Sequence, residues 1–153
     1  MDIIGHLLRP PRGNRNILTV VDHFTKHVEA YALQDQETNC NTNILKRICG
    51  SLRMPYIIHT HQGTNFESIL FKEICKFVNI SKTRTSPYHP QCDGQVKRMN
   101  RTIIELLALN VNNPTKNWDL ELRLVLMAYR SAVQISTVYT PYFLLYGKKC
   151  GFH

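Results

Sequence analysis

KTRTSPYHPQCDGQVKRMNRT, Lys82 to Thr102, is the most informative stretch of this chain. Its first residues close a short strand, Ser81–Thr85. Ser86 to Gly94 carries two prolines and a glycine and reads as a loop. From Gln95 to Asn110 the apolar residues Val96, Ile103, Leu106 and Leu107 recur at helical spacing. Lys82, Arg84, Lys97, Arg98 and Arg101 gather around the loop and the helix start, against one acid, Asp93. Lys97 and Arg101 stand four apart and share a helix face. Basic groups in this arrangement suit phosphates, and Tyr88 in the loop suits stacking on an unpaired base. A solvated and idle basic face is the other reading, and the residues weigh the two equally.

Working outward, strand and helix patterns alternate. Asp2-Ile3-Ile4 opens the chain inside an apolar run. Arg9 to Asn14 is a turn by its prolines and glycine. Asn16–Asp22 (NILTVVD) is β-branched and apolar, and His27–Leu33 alternates with Val28, Ala30 and Ala32 on one face, so the two predict a hairpin. Thr38–Cys49 predicts a helix stopped by Gly50, although Asn39, Asn41 and Asn43 weaken it. Tyr56–His59 is a short buried strand. Ser68–Val78 is a helix through Leu70, Phe71, Ile74, Cys75 and Val78, with Ser68 as its N-cap. Trp118–Ile135 is the longest predicted helix, its core stripe being Trp118, Leu122, Val125, Tyr129 and Val133. The tail TPYFLLYG either packs or frays. The order β, β, β, α, β, α, β, α, α predicts an α/β fold with a mixed central sheet of about five strands and helices on both faces.

The bulk properties agree. The 153 residues suit one domain spanning 1–153. Apolar residues make up 43% and charged residues 20%, which excludes a disordered chain. The net charge of +8 suggests a polyanionic partner, the alternative being a soluble protein that happens to be basic, and no small-molecule substrate is expected. Five cysteines, Cys40, Cys49, Cys75, Cys92 and Cys150, include no C-x-x-C pair, so free thiols in a reducing compartment are expected. No apolar run approaches the length of a membrane span, and the N-terminus lacks the pattern of a signal peptide. The expectation is an intracellular, soluble protein, nuclear if functional.

Four segments carry a family resemblance: MDIIG at residues 1–5, HTHQGTNFES (His59–Ser68), the Lys82–Thr102 stretch, and NWDLELRLVLMAYRSAV followed by TPYFLLYG. Together they resemble the integrase catalytic core of gypsy-type LTR retrotransposons and retroviruses. The resemblance implies an RNase H-like fold and DNA integration by metal-dependent phosphoryl transfer. It also implies an active site of two Asp and one Glu holding Mg²⁺ or Mn²⁺. Asp2 in MDIIG matches the first Asp. The second Asp position, before Q-G-x-N-F, is His61. The Glu position, in G-Q-V-E-R-x-N-R, is Lys97. Thirty-five residues separate His61 from Lys97, as the family spacing requires, so the frame is kept while two ligands are replaced.

The chemistry of those replacements is adverse. Two dications ~3.5–4 Å apart stabilise the attacking and leaving oxygens in this class of reaction, and Mg²⁺ demands hard oxygen ligands. His61 offers a neutral nitrogen better suited to transition metals. Lys97 brings an ammonium where a dication would sit. Asp22, Glu67 and Asp93 are the nearest substitutes in sequence, and each has a simpler reading as a turn, cap or solvated residue. His59, His61 and His89 invite a zinc reading, but the family places His at the His59 and His89 positions with no metal role. No bound cofactor is expected.

By the same resemblance, Arg101 falls where the family contacts DNA, and family cores pair through helices, which implies a homodimer. Arg123 and Val138 stand where the family often has Pro and Gly. The N-terminal zinc-binding and C-terminal DNA-binding modules of full-length relatives are expected to be absent, and the first strand is expected to be truncated. Three readings follow: a catalytically inactive core with weak, salt-dependent DNA binding, a DNA-binding or protein-interaction scaffold, and an active enzyme with an altered metal site.

Overall fold

The computed structural model describes residues 1–35, 55–61, 63–84, 90–110 and 117–149, with backbone alone at 90–93 and 110. The helix expected at Thr38–Cys49, and Tyr88 and His89, lie outside the described residues. The strands are β1 (Asp2–Ile4), β2 (Asn16–Val21), β3 (Val28–Leu33), β4 (Ile57–Thr60) and β5 (Ser81–Arg84). The helices are α1 (Thr64–Glu67), α2 (Ile69–Phe77), α3 (Pro90–Asn110), α4 (Trp118–Ser131) and α5 (Pro141–Tyr146).

β1, β2 and β3 form an antiparallel ladder, with Asp2 opposite Thr19 and Val21 opposite Val28. β4 and β5 pair in parallel, Ile57 opposite Ser81. Met1 joins the two ladders. Its amine donates to the His59 carbonyl at 2.6 Å, and its carbonyl accepts from the His61 N–H at 3.4 Å. Those two bonds flank Thr60 as a parallel bridge does. The structure thus has a three-stranded antiparallel sheet, β3-β2-β1, and a two-stranded parallel sheet, β4-β5, which Met1 sets side by side.

Alternation along β2 explains the layers. Ile17 joins Ile4, Val28, Met99, Ile103, Trp118, Leu122 and Val125 in a core under α3 and α4. Its neighbour Leu18 joins Leu33, Ile58, Phe66, Phe71, Cys75 and Ile80 under α1 and α2 on the other face. β2 is buried on both faces because successive side chains point to opposite sides of the sheet. Ser68 caps α2 as its sequence predicts, its hydroxyl accepting from the Phe71 N–H. Trp118 is buried, and its indole N–H donates to the Leu8 carbonyl at 2.8 Å, fixing the start of α4 against the loop after β1.

β3 lies at one margin of the sheet. There Arg130 from α4 reaches over it: Nε donates to the Val28 carbonyl at 2.8 Å and a second nitrogen meets Glu29 at 2.9 Å. The other Glu29 oxygen lies 3.2 Å from His27 Nε2. Burial raises the Glu29 pKa, but the bonds from His27 and the charge of Arg130 outweigh it and hold the carboxyl below its ordinary value.

Two expectations need correction, and the alternative left open for the tail is decided. α3 begins at Pro90, not Gln95, because a proline fits the first helical position, where no N–H partner is needed. α4 stops at Ser131, and Ala132 turns extended, so Val133 is largely exposed and not part of the core stripe. The TPYFLLYG tail is a helix. Thr140 caps it by accepting from the Phe143 N–H, Pro141 starts it, and Gly147 at φ 67° ends it in the left-handed region.

Candidate functional site

The site forms where the N-terminal end of β1, the C-terminal end of β4 and the face of α3 converge. Asp2 sits at the centre. Its Oδ1 accepts from the Ile3 N–H at 2.9 Å, and its Oδ2 accepts from Asn100 Nδ2 at 2.8 Å. Asn100 is itself held: its Oδ1 lies 3.0 Å from the Thr19 hydroxyl, which is also 3.2 Å from the Asp2 carbonyl. Thr19 and Asn100 are both buried. Because the amide donates to a carboxylate and accepts from a hydroxyl, its orientation is fixed chemically. A chain from β2 through α3 to β1 thus pins the Asp2 side chain.

His61 follows β4 and is exposed; Lys97 and Arg98 are exposed on α3. Lys97 lines a groove of ≈ 510 Å³ together with Asn100, Arg101, Ile104, Glu105 and residues Ile3 to Gly5 at the end of β1. The Arg101 Nε donates to Glu105 at 2.8 Å on the surface, a pair of little energetic weight. Among the described residues, no ion pair engages Arg84, Lys97 or Arg98. Tyr88 lies outside the described residues.

Lys82 is placed differently from the other basic residues. Its side chain is only 11% exposed, and its ammonium meets Glu67 at 2.5 Å. Lys72 meets the second Glu67 oxygen at 3.0 Å. The hydrogen bonds from Lys82 and Lys72 pull the Glu67 pKa down to about 2. Glu67 is therefore an ion-pair hub between β5 and α2 and not a spare ligand.

The other acids that sequence offered are also accounted for where they are described. Asp22 organises the β2–β3 turn: its Oδ1 accepts from the Phe24 N–H at 3.1 Å, and its Oδ2 accepts from the Thr25 hydroxyl at 2.6 Å. The Asp93 side chain is outside the described set. His59 directs Nδ1 to the Thr83 hydroxyl at 2.8 Å. The pKa of His23 in the same turn is lowered, first by desolvation and then by the positive charges of the Met1 amine, Lys26 and His59.

Among the described residues, no three His, Cys, Asp or Glu side chains converge as a metal set. The residues present do not fit a pair of hard dications. Of the three family acid positions only Asp2 keeps a carboxylate, both its oxygens already accept hydrogen bonds, and Lys97 stands one helix turn before its partner Asn100.

A family model described as an integrase core domain matches residues 1–90. The chain belongs to the integrase core family. Relatives of this integrase core include the Pro-Pol polyprotein of feline foamy virus, 36% identical over 151 residues, 98% of this chain and 13% of that polyprotein. The Pol polyprotein of radiation murine leukemia virus is 34% identical over 137 residues, 88% of this chain and 23% of that one. The Pol polyprotein from the Drosophila melanogaster transposon 412 is 24% identical over 152 residues. The chain thus spans a minor part of these polyproteins.

Two solved structures share its fold. The catalytic core domain of BIV integrase superposes with a TM-score of 0.76 at 21% identity, covering 94% of this chain and 91% of that one. A simian T-cell lymphotropic virus intasome, in complex with the PP2A regulatory subunit B56 gamma, gives 0.82 at 22% identity, covering 98% of this chain and 55% of that one. The fold of this integrase core is RNase H-like. Among the described residues no helix is long and apolar enough to cross a membrane.

Sequence reasoning missed Asn100 and Thr19. A signal for Asn100 existed. It interrupts the apolar stripe of α3, between Val96 and Ile103, where a polar side chain must find a buried partner.

Proposed function

We propose that this integrase core has lost metal-dependent phosphoryl transfer and retains weak, salt-sensitive DNA binding through Arg84, Lys97, Arg98 and Arg101. The carrying observation is the state of the acid set. Asp2 is retained but held by Ile3 and Asn100, while Lys97 presents a cation in the adjoining groove. A cation there opposes a dication and favours a phosphate oxygen. Lys82 contributes less, because Glu67 already neutralises it.

Self-association belongs to the same reading. Leu120, Leu124 and Met127 leave one face of α4 apolar and exposed, which suits a second copy. A DNA partner places such a role in the nucleus.

The test compares this chain with a His61→Asp/Lys97→Glu variant in nicking and strand-transfer assays on a labelled duplex with Mg²⁺ and with Mn²⁺. Duplex affinity is measured alongside across a salt series. Inert wild type with a salt-dependent affinity is expected. Cleavage by the wild-type chain that Asp2→Asn abolishes would overturn the proposal and favour an altered metal site.

A further inference from the structure

The β2–β3 turn carries an aromatic ring that the fold does not use. Phe24 is 82% exposed, yet its neighbours Thr25 and His27 are buried, so the ring stands out from an ordered turn and not from a fraying one. The turn is closed at both ends by Asp22, whose N–H donates to the His27 carbonyl and whose carbonyl accepts from the Lys26 N–H, each at 2.9 Å. The Asp22 carboxylate holds the Phe24 N–H and Thr25 from within. Lys26 adopts φ 62°, a left-handed conformation that a non-glycine residue keeps only where its surroundings impose it.

The Lys26 side chain is anchored within the turn and to α3. The Lys26 ammonium donates to the His23 carbonyl at 2.6 Å and to Gln95 Oε1 at 3.0 Å. Gln95 stands three residues before Arg98 on α3, so the two are neighbours on one face of the helix. The turn is therefore tethered to the helix that carries the exposed cations Lys97 and Arg98. A rigidly held, exposed ring on a turn tethered to a helix with exposed cations matches the elements that bind unpaired nucleic acid: cations for the backbone and an aromatic face for a base.

We propose that Phe24 is a stacking platform for an unpaired base of DNA held on the Arg98 side of α3. The assignment rests on the DNA-binding reading above. Stacking requires a base face, which an intact duplex hides, so the site prefers single strands or frayed ends to blunt duplex. The ring contributes affinity with little dependence on salt, whereas the cations carry the salt dependence.

The test measures binding of the full chain to a single-stranded and a duplex oligonucleotide by fluorescence anisotropy. It compares wild type, Phe24→Ala and Phe24→Trp across a salt series. Phe24→Ala is expected to weaken single-strand binding by about tenfold with an unchanged salt slope. Phe24→Trp is expected to restore affinity, with fluorescence quenched on binding beyond any change at the buried Trp118. Wild-type binding that neither substitution alters would overturn the stacking site and leave the DNA-binding reading intact. Absence of wild-type binding would overturn both. A Phe24→Ala effect confined to the sedimentation coefficient would assign the ring to a protein contact and overturn the proposal.

Discussion

Replacing Asn100 with alanine separates the scaffold that aims Asp2 from the fold around it. The amide makes a bond to a carboxylate, which contributes about 1.5–3 kcal/mol, and a bond from Thr19 near 1 kcal/mol. Two effects offset part of that loss. The Thr19 hydroxyl keeps the Asp2 carbonyl as an acceptor, and the Asp2 oxygen gains water from the adjoining groove. Alanine also fits a helix interior better than asparagine by several tenths of a kcal/mol. The net expectation is a loss of about 2 kcal/mol, or a melting temperature lower by about 4–8 °C for a domain of this size. Urea unfolding followed by circular dichroism reads it as a lower midpoint at constant slope. In Asn100→Asp a second carboxylate faces Asp2, and its deficit should be larger at neutral pH and shrink on acidification, when the pair shares a proton. A loss below about 0.5 kcal/mol in Asn100→Ala, or no pH dependence in Asn100→Asp, would show that the network contributes no more than an average surface bond.

Other outcomes follow from single features. Phe71→Ala removes a fully buried ring from the core under α2 and should cost about 3–5 kcal/mol, read by the same urea titration. Val138→Gly should raise the melting temperature by a few degrees, since Val138 is 74% exposed and holds φ 61°, where a β-branched residue is strained by about 1 kcal/mol or more. Glu67 has a pKa depressed to about 2 from an ordinary 4.5, so its contribution is full above pH 4.5 and lost as pH falls toward 2. The small stability gap between wild type and Glu67→Gln should therefore close over that window in acid-unfolding curves. Arg84→Ala and Arg98→Ala should each flatten the salt dependence of DNA affinity, whereas Lys82→Ala should leave it nearly unchanged.

Elements whose signals are local were legible in the sequence. The NILTVVD and HVEAYAL runs gave β2 and β3 because β-branched residues and alternation act within a strand. Ser68 announced α2 because capping is a contact of three residues. The tail helix was equally local, with Thr140, Pro141 and Gly147 at its cap, first position and stop, and the short apolar run between them disguised it. Features that rest on contacts distant in sequence were not legible. The Asn100–Asp2 bond spans 98 positions, and nothing near Lys82 foretells that Glu67 neutralises it. The basic cluster reads as uniform in sequence, and burial is what divides it.

The outer margins of the two sheets described here bear charge. At one, the guanidinium of Arg130 occupies the Val28 carbonyl and leans on Glu29; at the other, β5 carries Lys82 and Arg84. A strand arriving from a second molecule would have to displace an ion pair or strip water from a cation before its first ladder bond formed. Charge at these margins thereby opposes growth by strand addition. A variant that uncovers the β3 margin, such as Arg130→Ala, should be more prone to fibrous growth than the wild type, read by thioflavin fluorescence.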